Sequence, residues 1–413
     1  MFSYQKVVYL DIDYAEYRSY CDCCKTFCST PEGVDLKCLY DNQGRQAVLD
    51  RLVSDGMSVQ KLLAAVRRDF YLDLSEGFVY DCLHREVARL DMDAYRRWVL
   101  QEFSGTLCVD ELHLGRYTLL LATDPLGHFP VAFALVETND QDHLRRFLLN
   151  LKNRGLSPQV VVTDGSPLYP KLLAELWPAA RHQLCIFHVL QDINDHVLDA
   201  VKRMRREMSR RGNRGRRRQR GRPTKAQRKR KKKTLKDKAH FVFKHRYLIV
   251  KRAENLSETD HQNLQKMLEY LPALRTLRTF MDRIYKLFEP DQTVQQAGCR
   301  RSALVRSKTF AAIPELAKVI KMLTVEKFAK MMAFLRSPAS QRVRTNNHVE
   351  RANRKLRYYE KVRYKCRQRR AVVRFVLLAI DRWWRERDPT CERAKKRKTP
   401  RNLKPKCHYW LSA

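Results

Sequence analysis

An α/β fold, with a mixed five-stranded sheet at its centre and helical regions on either side, is what this 413-residue sequence predicts. Between Thr106 and Met208 short β-rich runs come first three in succession, then in alternation with helical stretches. Before and after that region the apolar residues recur with helical period instead. The length points the same way: single hydrophobic cores stop growing near about 250 residues, so two or three folded units are expected.

Residues 1–45 carry Cys21-x-x-Cys24, the spacing of one zinc knuckle, followed by Cys28 and Cys38. Either these four thiols complete an irregular tetrahedral Zn²⁺ site, or the segment is the remaining half of a degenerate, zinc-ribbon-like module. The chain's twelve cysteines are scattered rather than concentrated in a small framework, which reads as reduced thiols or metal ligands. Residues 46–100 give three helical stripes, Val48, Leu49, Leu52, then Val59, Leu62, Leu63, Val66, then Phe78, Val79, Leu83, Val87. Asp55-Gly56-Met57-Ser58 separates the first two, with Ser58 as N-cap, and Leu74-Ser75-Glu76-Gly77 separates the last two. The layout suits a helix-turn-helix that binds DNA; helical period alone fits equally a helical packing module with no DNA contact.

Residues 101–208 begin with Leu107–Asp110, Tyr117–Ala122 and Phe129–Val136, read as three antiparallel strands. A helix at Gln141–Asn153, a strand at Gln159–Val162, a helix near Leu168–Leu176, a strand at His182–Ile186 and a helix from Val189 follow. The order β-β-β-α-β-α-β-α is that of a ribonuclease-H-like core. Residues 209–238 are nearly pure Arg and Lys around Gly212, Gly215, Gly221 and Pro223, a composition that buries no core and is expected to be flexible when free. Such a tract suits DNA phosphates, the bland alternative being a solvated linker. Residues 239–340 read as an all-helical insertion. Residues 341–384 carry a last core helix starting near Thr345, with a basic tail at 385–413.

The charge balance narrows the partner. Lys and Arg number 83 against 45 Asp and Glu, a net charge of +38, and this excess calls for a polyanion, with nucleic acid first. Bilayer spanning is not expected, because the longest apolar runs, such as Ala371–Ile380, are short and interrupted by Arg374. Met1–Leu10 shows no secretion signal, so a cytoplasmic, nucleoid-associated location is expected.

Phosphodiester chemistry with two hard cations needs carboxylates converging from different elements. Asp110 closes Leu107-Cys108-Val109, and Asp164 follows Val160-Val161-Val162-Thr163. Either alone is as easily a turn former; together, in this strand order, they are a candidate pair. Thr345-Asn346-Asn347-His348-Val349-Glu350-Arg351 supplies a third on a helix, where Asn346, Glu350, Asn353 and Arg357 share one face. His113, three residues after Asp110, is a lesser candidate beside the site. Cys185 and His188 could bind a transition metal, but two ligands are too few to close a zinc site and no partners lie nearby in sequence, so a role in packing or DNA positioning is expected.

The blocks Val109-Asp110-Glu111-Leu112, Val162-Thr163-Asp164-Gly165-Ser166, Cys185-Ile186-Phe187-His188 and Asn346-Asn347-His348-Val349-Glu350-Arg351 resemble those of DDE-class bacterial insertion-sequence transposases, in the broad group related to Mutator-like elements. The resemblance covers roughly Leu107–Ile380. It implies metal-dependent cleavage at transposon ends and strand transfer, with Asp110, Asp164 and Glu350 binding two Mg²⁺ (or Mn²⁺) ions. It also implies that Cys185 and His188 belong to the pattern, that an all-helical insertion precedes Glu350, and that a homodimer or larger assembly forms on double-stranded DNA. Asn346, Asn347, Arg351 and Arg357 are taken as supporting or DNA-binding residues. The alternatives are a catalytically inactive relic or DNA-binding regulator, and an RNA-binding protein.

Overall fold

The computed structural model describes residues 17–18, 26–27, 42–211, 225–362 and 368–387. The candidate zinc thiols Cys21, Cys24, Cys28 and Cys38 lie outside the described residues, as do residues 212–224 of the basic tract and 388–413 of the tail. A short antiparallel pair, β1 (Tyr17–Arg18) and β2 (Thr26–Phe27), precedes the first helix.

The central sheet contains β3 (Thr106–Leu114), β4 (Tyr117–Asp124), β5 (Phe129–Val136), β6 (Val160–Thr163) and β7 (Arg181–Leu184), in the order β5-β4-β3-β6-β7. The first three pair antiparallel, while β3–β6 and β6–β7 are parallel, so the sheet is mixed and five-stranded, as in ribonuclease-H-like folds. Every residue of β4 is buried, the signature of a strand covered on both faces. One face carries α5 (Gln141–Asn153) and α6 (Tyr169–Leu176); the other carries α15 (Asn347–Val362) and α16 (Arg369–Arg387). Their apolar stripes share one core with the strands.

The first strand is longer than the sequence reading. It does not end at Asp110 but runs on through Glu111-Leu112-His113-Leu114 to a Gly115-Arg116 hairpin turn, where Gly115 has φ 60°. Alternation of polar and apolar residues beyond Asp110 continues the pleat, so Asp110 sits inside the strand opposite Leu121. Likewise β7 stops at Leu184, and α7 (Ile186–Arg211) begins three residues earlier than read, placing Cys185 at the junction and His188 in the first helical turn.

Upstream, α1 (Asn42–Leu49) runs into a π-helical turn at Asp50–Ser54, followed by α2 (Val59–Phe70), α3 (Glu76–Ala88) and α4 (Met92–Glu102). Ser58 and Ser75 cap α2 and α3 by accepting from the Lys61 and Phe78 backbone N–H groups. The stripes of α1 to α3 close a small core that takes in Leu378 of α16, so this block rests on the last helix.

Downstream, α8 (Lys225–Lys244), α9 (Glu258–Tyr270), α10 (Leu274–Leu287), α11 (Val294–Val305), α12 (Lys308–Ala311), α13 (Pro314–Met322) and α14 (Val325–Met331) gather around a second core with α7. Within the basic tract, residues 225–238 belong to helix α8. Past Pro223 it holds no Gly or Pro and is rich in strong helix formers, and α8 docks through Ala239 and Val242. The final region holds two helices, α15 to Val362 and α16 from Arg369, with residues 363–367 outside the described residues.

Gln183 stitches the helical insertion to the sheet edge. Fully buried, it donates through Nε2 to the Met331 carbonyl (2.9 Å) and accepts through Oε1 from the Phe334 N–H (2.7 Å). Gln183→Leu is expected to cost about 2–4 kcal/mol, because a buried donor and a buried acceptor lose their partners together; denaturant unfolding measures it. No helix among the described residues is long and apolar enough to cross a membrane.

Candidate active site

Asp110 reaches the site from mid-β3, on the face that α15 covers, and is partly buried. Asn353 of α15, itself buried, donates through Nδ2 to Asp110 Oδ2 at 2.8 Å. A second asparagine fixes the same helix: Asn346, fully buried just before its first turn, donates through Nδ2 to the Val109 carbonyl (3.0 Å). Its backbone N–H bonds to Cys185 Sγ (3.2 Å). The apolar side of α15, Val349, Ala352 and Leu356, packs into the sheet core and holds the helix at that register.

Asp164 follows β6 directly, where Gly165 takes φ 100° and Ser166 donates its N–H to Asp164 Oδ1 (2.9 Å). The left-handed turn, readily adopted by glycine, lets the chain leave the strand while Asp164 stays near its end. Glu350 lies in the first turn of α15, partly buried, with Oε1 3.8 Å from His188 Nε2. That oxygen is shielded from solvent and has no hydrogen-bond partner among the described residues.

The electrostatics tie these groups together. Burial, reinforced by the Asp164 charge, pushes the Asp110 carboxyl up to about 6, although bonds from the Glu111 N–H and Asn353 pull the other way. Contact with the Cys185 side chain, then the Glu350 and Asp164 charges, raises His188 to about 9, against the desolvation that opposes it. At neutral pH His188 is therefore an imidazolium beside Cys185 and Glu350. Asp110 and Asp164 feel one another's charge and Glu350 acts on the same His188, and oxygen donors of this kind suit a hard divalent cation. Among the described residues, however, the group whose ligand atoms lie within 4.8 Å of one another is Cys185, His188 and Glu350.

Other sequence candidates fall elsewhere. His113 is three residues from Asp110, an odd separation that turns it to the opposite side of the sheet, where Nδ1 bonds Thr118 Oγ1 at 3.0 Å. Asn347, Arg351 and Arg357 are exposed on α15 and do not join the acidic cluster. Cys185 is fully buried and His188 half-buried, and both join Glu350, a partner 162 positions or more away in sequence that spacing could not reveal. Asn353 is the functional contact the sequence reading left unassigned; its three-residue spacing from Glu350 was the available signal. Glu111, although adjacent to Asp110, points to the opposite face, where Tyr169 Oη and Asn139 Nδ2 both donate to it at 2.8 Å. Asp124, the most buried carboxylate nearby, serves the 124–129 turn by accepting from Ser104, Leu126 and Gly127.

A family model named for the ISL3 group and described as a transposase matches residues 107–370, from the start of β3 to the start of α16. Among solved structures, the Drosophila P element transposase strand transfer complex is similar at 14% identity and a TM-score of 0.44, covering 81% of this chain and 90% of that one. No curated protein matches.

Proposed function

The chain belongs to the ISL3 transposase family, and from that premise we propose that Asp110, Asp164 and Glu350 form a DDE centre that cuts transposon ends and joins them to target DNA. One observation carries the reading. Carboxylates from β3, the end of β6 and the first turn of α15 act by charge on one another or on His188, and burial with the Asp164 charge raises the Asp110 carboxyl.

Two Mg²⁺ (or Mn²⁺) ions, held by these three carboxylates, would supply the charge that activates water or a 3′-hydroxyl and stabilises the leaving oxygen. The protein's own part is orientation. Asn353 holds one oxygen of Asp110, the Ser166 N–H fixes the rotamer of Asp164, and Asn346 sets the depth of α15 and thus of Glu350. His188 Nε2 lies 3.8 Å from Glu350 Oε1, so a raised His188 places its positive charge beside that carboxylate. Double-stranded DNA is the substrate, drawn in by the net charge of +38. A homodimer or larger assembly would bring two ends together.

The test is cutting of labelled duplex DNA bearing the element's own ends, with Mg²⁺ or with chelator. Nicks at the ends that require Mg²⁺ support the reading; tight binding with no cutting under either condition would make the protein a DNA-binding relic. A pH effect follows from Asp110. Proton and cation compete for one carboxylate whose metal-free pKa is about 6, so the Mg²⁺ needed for half-maximal cutting is expected to rise as pH falls through that value. It should be nearly flat above about pH 7. Mg²⁺ titrations at about pH 5.5 and about pH 7.5 measure the shift.

A further inference from the structure

Cys185, His188 and Glu350 bring a thiol sulfur, an imidazole nitrogen and a carboxylate oxygen within 4.8 Å of one another. We propose that they form a site for a borderline-soft cation of the Zn²⁺ class, and that such a cation, by taking Glu350, competes with the hard cations of the transfer reaction. The second half rests on the DDE reading above; the first does not.

The donor set is the argument. Thiolate and imidazole favour Zn²⁺ over Mg²⁺, whereas Asp110 and Asp164 offer oxygen alone, so Glu350 stands between a soft half-site and a hard one. Tetrahedral Zn²⁺ with these ligands needs donor atoms about 3.3–3.8 Å apart. His188 Nε2 and Glu350 Oε1 already stand at 3.8 Å, and all three ligand atoms lie within 4.8 Å of one another. Three protein ligands leave a fourth position for water, the pattern of exchangeable sites.

Two further observations point to a ligand. Glu350 Oε1 and His188 Nδ1 are both shielded from solvent with no hydrogen-bond partner among the described residues. Cys185 sits where α7 begins and already accepts the Asn346 N–H on Sγ, which holds the sulfur beside α15. The sequence places Cys185 and His188 one helical turn apart on α7, and the fold adds the third ligand from α15.

Cobalt(II) titration of the full-length protein is the test, because a cobalt–thiolate bond gives a near-ultraviolet charge-transfer band that a merely structural cysteine does not. Wild type is compared with Cys185→Ser and with His188→Gln, the latter at a half-buried position and less disturbing to the core; thermal unfolding checks that each is folded. The wild type is expected to take up one more cobalt ion than either variant, with the band in the difference spectrum whatever the amino-terminal cysteines bind. Equal uptake and equal spectra in all three proteins would overturn the site. In the cutting assay, Zn²⁺ is expected to raise the Mg²⁺ requirement about tenfold or more, reversed by excess Mg²⁺. Cobalt uptake without any zinc effect on cutting would overturn the competition. Absence of Mg²⁺-dependent cutting in wild type would instead sink the DDE reading, while the cobalt difference still decides the site.

Discussion

Asp110→Asn, Asp164→Asn and Glu350→Gln are each expected to lower metal-dependent cutting by roughly 10³-fold or more, because residues that act as one unit lose most of the effect when any is removed. Binding to duplex DNA should survive, since it rests on a charge of +38 that a single neutralised carboxylate hardly changes. Asp110→Asn carries a second signature. Its folded-state pKa of about 6 lies above the ordinary 3.8, so its favourable contribution to folding is present below pH 3.8 and lost as pH rises through about 6. At neutral pH without metal the ionised group therefore opposes folding, and the asparagine, which keeps an acceptor for Asn353, should stabilise the protein by about 1–3 kcal/mol. A variant that loses cutting and gains stability in chelator would separate a catalytic carboxylate from a structural one; calorimetry beside the cutting assay gives both numbers.

Arg385→Ala is expected to have the largest effect on architecture. Arg385 is only 7% exposed on its side chain and joins Asp381 in its own helix α16 to Glu86 in α3, the latter at 2.8 Å. Removing it leaves two nearly buried carboxylates without the cation they share, a loss of about 3–5 kcal/mol. Arg382 adds a contact with Asp50 at 2.8 Å, so the same helix holds the amino-terminal helical block at two points. Hydrogen exchange should rise across α1 to α3 in Arg385→Ala while amides of β3 and β4 remain protected. Unchanged exchange in the block would mean that its shared apolar core with Leu378 suffices to hold it.

The sheet was legible because its physics is local. Apolar runs of strand length, broken by Gly115-Arg116 and 124–129, announce hairpins, and the later alternation of strand and helix announces parallel pairing. The ends of elements were less legible: Asp110 looked terminal because a carboxylate usually closes an apolar run, whereas here buried Leu112 and Leu114 carry the strand onward. Glu350 was found from its helical face, but what it meets was not. Cys185 and His188 come to Glu350 only because the insertion leaves the sheet after β7 and returns beside it, where the Ile186 N–H bonds the Arg344 carbonyl at 2.9 Å. Contacts across such a span depend on tertiary closure, which no local period records. The helix α8 was missed for a different reason: charge density in the basic tract signals solvation, while helix propensity of Lys, Arg and Ala persists under it.

The central claim is that Asp110, Asp164 and Glu350 together hold the reactive cations, and iron-directed backbone cleavage reads this without reference to activity. Fe²⁺ substituted for Mg²⁺, with ascorbate and peroxide, cuts the polypeptide next to the bound ion. Fragments ending near residues 110 and 164 are expected, fading together with excess Mg²⁺ and absent from the Asp110→Asn, Asp164→Asn double variant, whereas fragments near 185–188 and 350 can also come from an ion on Cys185, His188 and Glu350. No cleavage near 110 and 164, or cleavage there that persists in the double variant, would contradict the assignment.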